Sequence, residues 1–320
     1  MSYKLTYEVQ IGDYLLRKEL AAAEIRSTWK ELTDTATITL PRNMYLKRGG
    51  QVVELRKERL SDTIRRGMPV EIKLGYNGEN EREFVGYVAE TDATIPFVVR
   101  CEDEMFNLKR KSLTFSYETV SLKTLLKRIA PGYKIDCPDT EFASYQAVNA
   151  SPARVLEDLK NFNLYAWFDL DKTLHVGFPY ANKYNRHVYN FQKNVRENNL
   201  RFRRAEDIKL RVKAIANRKT GKKEIYEFGD LDGEIRSLNF GDITSARLRE
   251  YAHAEIKRFK FSGYQGDVTG WGLPRTRHGD VLRLIDDRYE HNGDNIIDAV
   301  AIRFDDNGWR RTNELGPRAL

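Results

Sequence analysis

Three sets of side chains in this sequence have types and spacings that could do chemistry: histidines with acidic turns, a dense run of basic residues, and scattered tryptophans. His175, His187, His253, His278 and His291 form neither an H-E-x-x-H pair nor any other metal-holding spacing. Asp286, Asp287, Glu290, Asn292, Asp294 and Asn295 crowd oxygen donors into one stretch, but the ligand order and closing glutamate of a calcium loop are absent. A polar hairpin turn accounts for them, as it does for Asp169 and Asp171. Cys101 and Cys137 have no ligand spacing, and burial as free thiols is their default. There is no G-x-S-x-G, Walker A or G-x-G-x-x-G. No catalytic, metal-binding or cofactor-binding residue is therefore assigned, and the expectation is a protein that is not an enzyme and carries no cofactor.

The basic run is more specific. Arg196, Arg201, Arg203, Arg204, Lys209, Arg211, Lys213, Arg218, Lys219, Lys222 and Lys223 are opposed only by Glu197, Glu206 and Asp207, an excess of eight (11 − 3) that exceeds the net charge of the whole chain, +7. Such a strip can hold phosphate, line a channel that nucleic acid crosses, or form the solvated face of a strand. Arg201-Phe202-Arg203 and Lys209 to Ile215 alternate basic and apolar with period two, which predicts half-buried strands. Repeated positive charge along a DNA path would slow transit, so Arg203, Lys209 and Arg211 are expected to pair with carboxylates across an interface. Among the aromatics, Trp167 sits in an apolar run and reads as core. Trp271, in a glycine-rich segment, and Trp309, after a turn, are expected to be exposed at an interface.

The elements that must position these residues follow from pattern. At roughly 100–200 residues per domain, 320 residues make about two or three. No run nears the roughly 18 consecutive apolar residues of a membrane helix, and no apolar signal-peptide core follows Met1, so cytosolic synthesis is expected. Residues 1–102 read as β-structure. Thr35 to Leu40 alternates before Pro41, and Gly67 opens a strand that turns at Asn77-Gly78 and returns through Phe84-Val85-Gly86-Tyr87-Val88. The charged stretch 42–66 reads as a long peripheral loop. In 103–184 the period changes: Leu122, Leu125, Leu126 and Ile129 define a helix capped by Ser121, and Ser151-Pro152 starts another. Residues 185–320 return to strands, with one helix over about Ser245 to Phe259.

Gly67 to Val88 and Gly279 to Val300 share a pattern of glycine, strand, glycine-containing turn and strand, a faint internal repeat. The predicted fold class is α+β, mainly β: two similar antiparallel β-barrel domains, 1–102 and 185–320, flanking a small α+β domain. Gly67, Gly86, Gly279 and Gly308 are expected to be structural, at turns or close approaches.

Four stretches resemble the late control protein D family, the baseplate hubs of contractile phage tails, and the hub part of type VI secretion spikes. They are Thr35 to Pro41; Gly67 to Val88; Cys101-Glu102-Asp103-Glu104-Met105-Phe106-Asn107-Leu108-Lys109; and Gly279-Asp280-Val281 through Asp298-Ala299-Val300 to Gly308-Trp309-Arg310-Arg311. The resemblance implies a homotrimer whose six barrels form a ring adapting a sixfold tail tube to a threefold spike. Its partners would be the tube protein, a separate spike protein, other baseplate proteins and DNA passing through the lumen. It would sit in the virion tail baseplate after assembly in the bacterial host cytoplasm. Because the sequence stops at Leu320 without a needle, the spike is expected to be a separate chain, and no lysozyme-like insertion is visible. The main competing reading is a basic nucleic-acid-binding module built on Arg196 to Lys223; a glycan-binding or glycan-processing protein has only aromatics and acidic turns behind it.

Overall fold

The computed structural model describes residues 4–18, 20–41, 43–48, 51–56, 60, 62–92, 95–181, 185–218, 220–288 and 292–320; Lys219, Glu290 and His291 lie outside this set. The first part of the chain forms β1 (Leu5–Ile11), β2 (Tyr14–Leu16), β3 (Ala22–Thr28), β4 (Thr35–Leu40), β5 (Asn43–Arg48), β6 (Gln51–Arg56), β7 (Pro69–Tyr76), β8 (Glu79–Asp92) and β9 (Phe97–Glu102). In β4, Ala36, Ile38 and Leu40 are buried while the threonines face away, as alternation requires. Asn77 and Gly78 both have positive φ and turn β7 into antiparallel β8. The loop expected over 42–66 is instead largely a hairpin: β5 pairs with β6 and, on its other side, with β2. Leu60 and Ile64, from the same stretch, are fully buried in the core.

A compact module follows, with α1 (Met105–Leu108), β10 (Leu113–Tyr117), β11 (Val120–Ser121), α2 (Leu122–Ile129), β12 (Ile135–Asp136), β13 (Glu141–Phe142), β14 (Tyr145–Ala150), α3 (Pro152–Asp158), β15 (Tyr165–Phe168) and β16 (Leu174–Gly177). The Ser121 and Ser151 side chains accept from the backbone N–H groups of Thr124 and Arg154, which is why α2 and α3 start where they do. Leu122, Leu125, Leu126, Ile129, Val155 and Leu156 bury one face of each helix in a core belonging to this module.

The last part comprises β17 (Arg186–Asn190), β18 (Val195–Arg203), β19 (Leu210–Asn217), β20 (Lys223–Gly229), β21 (Glu234–Phe240), α4 (Ser245–Phe259), β22 (Gly263–Trp271), β23 (Val281–Ile285), β24 (Gly293–Asp305) and β25 (Gly308–Arg318). Strands β20-β19-β21 make a small outboard sheet, on which Leu248 and Ala252 of α4 pack against Val212, Ala214 and Phe240. The others join the first part. β24 pairs with β25 along one edge; along the other it pairs first with β23 and then with β3, from Ala299↔Thr28 to Asp305↔Ala22. One sheet therefore runs β18-β22-β25-β24-β3-β4-β9-β8-β7-β1-β2-β5-β6.

The chain is mainly β, as expected, but no barrel closes among the described residues. The two β-rich parts meet edge to edge and share one core, in which Val9, Ile38 and Val99 belong to the same cluster as Val268, Leu282 and Val300. The physical reason is that β3 and β24 each leave an edge of backbone donors and acceptors that must be paired when buried. The two hairpins of the faint repeat open alike: Gly67 N–H donates to Val88 O and Gly279 N–H to Ile297 O, both at 2.8 Å. Their registers differ. Among the described residues, no helix is long and apolar enough to cross a membrane.

Candidate assembly interface

The structure splits the basic stretch between two sheets. β19 is half-buried as predicted, with Leu210, Val212, Ala214 and Ala216 inward and Arg211 and Lys213 outward. Its cations, and Lys209 just before it, already have partners: Lys209 pairs with Asp232, and Arg211 with Glu227, which also lies 3.9 Å from Lys213. The Asp232 carboxylate accordingly holds the Lys209 ammonium above the ordinary lysine range. β18 departs from the prediction. It belongs to the long sheet, and all its residues except Val195 and Leu200 are exposed. Arg203 donates to Gln265 Oε1 at 3.3 Å, and neither Arg201 nor Arg203 has a carboxylate partner among the described residues.

The two tryptophans part company. Trp271 is 41% exposed, with the Arg196 and Arg310 guanidiniums 4.6 and 4.4 Å from its ring centre and the exposed Leu273 close by in the chain. Trp309, expected at a surface, is completely buried. The inward face of β25 includes Trp309, Arg311, Asn313 and Leu315, so alternation places an arginine inside. Gly272 makes room: a Cβ there would stand 1.8 Å from the Trp309 ring.

Beside Trp309 lies a polar junction that sequence reading missed. The Arg311 side chain is 1% exposed and donates to Gly272 O at 3.0 Å, Thr276 O at 2.9 Å and Glu83 Oε1 at 2.5 Å. Arg275 reaches the same Glu83 oxygen at 3.2 Å and Leu74 O at 3.1 Å. Glu83 lies on β8, so this cluster fastens the first β-rich part to the last. Nothing local marks Glu83 in a charged strand; only the inward alternation of Arg311 after Trp309 carried a signal.

A second junction sits where the sheet hands over to the module, at the acidic Glu102-Asp103-Glu104. Glu104 accepts from Tyr87 Oη at 3.0 Å, Tyr133 Oη at 2.8 Å, Asn107 Nδ2 at 3.1 Å and Lys172 at 2.5 Å. Burial works against its charge, but the Lys172 ammonium and the hydroxyl donors hold the carboxyl below the ordinary glutamate range. Among the described residues no cation pairs directly with Asp34 or Asp103, and Lys109 acts on Asp103 only from a distance. Asp103 accepts from Met105 N–H at 2.9 Å and Asp34 N–H at 3.2 Å, and Asp34 accepts from Thr28 N–H at 3.1 Å. Burial pushes the Asp34 carboxyl up to about 7, and burial with the neighbouring Asp34 charge raises Asp103 well above the usual range. Both line a cavity of about 270 Å³ between sheet and module, shared with His278, whose imidazole burial pushes down to about 4.

The predicted structural glycines occupy demanding positions. Gly67, Gly279 and Gly308 have φ of +89°, +86° and +121°. A Cβ on Gly86 would stand 2.1 Å from Glu102 O on β9.

This arrangement, one long sheet with an α+β module and an outboard sheet, is the fold of phage tail proteins and of spike-related proteins of type VI secretion. The 43 kDa tail protein of prophage MuSo2 from Shewanella oneidensis superposes with a TM-score of 0.62 at 16% identity, over 98% of this chain and 97% of that one. The tail protein from Neisseria meningitidis MC58 gives 0.66 at 12%, over 98% and 96%. The E. coli c3393 protein, a type VI secretion component described as similar in structure to the T4 tail proteins gp27 and gp5, gives 0.56 at 10%, over 98% and 76%. No family model matches the sequence, and no curated protein does.

Proposed function

We propose that this chain is a structural baseplate hub of a phage tail or related contractile injection system, without enzymatic activity. Three copies form a ring in which two β-rich parts per chain, each acting as a barrel-like wall segment, present six segments to a sixfold tail tube. The ring's other face receives a threefold spike carried by a separate chain, and its centre leaves a channel for DNA. The observation that carries the reading is correspondence in fold with tail proteins over essentially the whole length of both chains. The units of this reading are 1–102, 103–184 and 185–320. The exposed wall at Arg203 and Trp271 is its contact surface with a neighbouring subunit or tube ring. Lys209 and Arg211 join that surface only by exchanging their partners within the chain for carboxylates across the contact. Other baseplate proteins complete the assembly in the host cytoplasm. The rival nucleic-acid module loses ground because the stretch it needs as one face is divided between two sheets.

Closure is the physical requirement, since two segments per chain match sixfold symmetry only when three chains complete a ring. Mass measurement of the purified protein across a concentration series tests it. A trimer is expected; an exclusively dimeric or tetrameric species would sink the reading.

A further inference from the structure

We propose that the connection 29–34, between β3 and β4, is a latch on the α+β module that stays closed while Asp34 and Asp103 hold their protons and opens as they lose them. The connection leaves the long sheet and lies against the module. The Trp29 ring meets those of Tyr165 and Tyr180 edge-on at 4.7 and 5.1 Å, the Lys160 ammonium donates to Lys30 O at 3.0 Å, and Leu32 packs on the module's core. Its start is tied to the sheet, since Lys30 pairs with Asp298 at 2.7 Å and with Glu314 at 2.9 Å. Its end is tied to the junction with the module by the two aspartates. Asp103 N–H donates to Asp34 O at 3.1 Å, and Asp34 N–H donates to Asp103 Oδ2 at 3.2 Å.

Both carboxyls are fixed in place. Thr28 N–H donates to Asp34 Oδ1 at 3.1 Å and Met105 N–H to Asp103 Oδ1 at 2.9 Å, so neither group swings to solvent while these bonds last. Burial disfavours the charge on each, and the charge on Asp34 bears directly on Asp103. The surroundings offer little compensation. Glu31, on the connection itself, adds negative charge near Asp34, and Lys109 is paired with Glu102 at 2.8 Å. Across the shared cavity, Glu83 is taken by Arg311, Asp169 by His175 and Asp280 by His187. Arg277 bears on His278, whose imidazole burial keeps neutral above about pH 4. Two charges here are accommodated by admitting water or by moving apart. The α1 side resists, because Met105, Phe106 and Leu108 are buried, whereas the end of the connection rests on the half-buried Leu32 and the aspartate bonds. The connection is therefore the side that lifts.

The latch goes beyond the assembly reading and does not depend on it. Amide hydrogen exchange of the full-length protein, corrected at each pH for the intrinsic amide rate, reads it through the segments that hold Thr28, Asp34, Asp103 and Met105. Exchange there is expected to rise by about tenfold per pH unit for each proton released, from about pH 5 to about pH 7, because the closed state keeps protons that the open state gives up. Exchange in β19 of the outboard sheet should not follow. Asp34→Asn and Asp103→Asn should each make the rise shallower, and the double variant should remove it. Asp34→Asn keeps an oxygen for Thr28 N–H and is the gentler change, so a failure of Asp103→Asn to fold leaves a working variant. A flat profile in the wild type, an equal rise in β19, or an undiminished rise in the double variant overturns the proposal. So does a rise that is lost in His175→Gln, which would make the histidine the titrating group. Suppression of the rise by millimolar calcium also overturns it, because the pair would then hold a cation in place of protons.

Discussion

The central junction at Arg311 and the outboard sheet at Arg211 use the same guanidinium–carboxylate chemistry in opposite surroundings. Arg311 is 1% exposed and its Glu83 partner 5%, whereas Arg211 and Glu227 are 30% and 35% exposed. At the surface, water competes for both charges and the pair adds little. In the core, the pair contributes less to net stability than to geometry, because only one arrangement satisfies both groups. The junction thus fixes how the two β-rich parts meet, while the outboard sheet holds its fold through Val212, Ala214, Phe240 and Leu248 and leaves its charges replaceable.

The sharpest way to break the comparison is Glu83→Ala, which strips Arg311 of its carboxylate while keeping it buried. A loss of about 3–5 kcal/mol is expected in denaturant unfolding, and a loss below the surface-pair range would mean that the junction is not closed in solution. Next comes Gly272→Ala. Its new Cβ must displace the Trp309 ring, with an expected cost of about 1–3 kcal/mol from overpacking; a wild-type melting curve would contradict the buried placement of Trp309.

The third prediction concerns pH. The Asp34 and Asp103 carboxyls are raised in the folded protein relative to the unfolded chain, so between about pH 4 and about pH 7 the native state holds protons the unfolded state has released. Their contribution to stability therefore falls as pH rises through that window. His278, held down at about 4, works the other way, because there the unfolded chain binds the extra proton. The test is consequently a difference: Asp103→Asn should gain stability relative to wild type between pH 5 and pH 8, and a constant difference would show that the pair does not titrate. The smallest effect belongs to the outboard sheet. Arg211→Ala should cost at most about 1 kcal/mol, and a larger loss would erase the contrast with Arg311.

What sequence reading reached and what it missed divide along the same line. The helices at Leu122 and Pro152, the α4 span and the Asn77-Gly78 hairpin were legible because caps, periodicity and turn residues are local. The pairing of β3 with β24 was not, because residues about 270 positions apart leave no short-range pattern. The same holds for Glu83, whose partner lies 228 residues away. The hairpin at 43–56 reads as a loop because charge masks its alternation, and Trp309 reads as a surface residue because it follows a turn. The division of the basic stretch between β18 and β19 escaped notice for a related reason: two strands with the same alternation say nothing about whether they share a sheet.

The most direct test of the hub reading is electron cryomicroscopy of assembled tail particles containing this chain. Three copies between the end of the tail tube and the spike, with both β-rich parts of each copy facing the tube, are predicted. Particles that assemble fully without the chain, or that carry it at a different copy number or away from the tube–spike boundary, would contradict it.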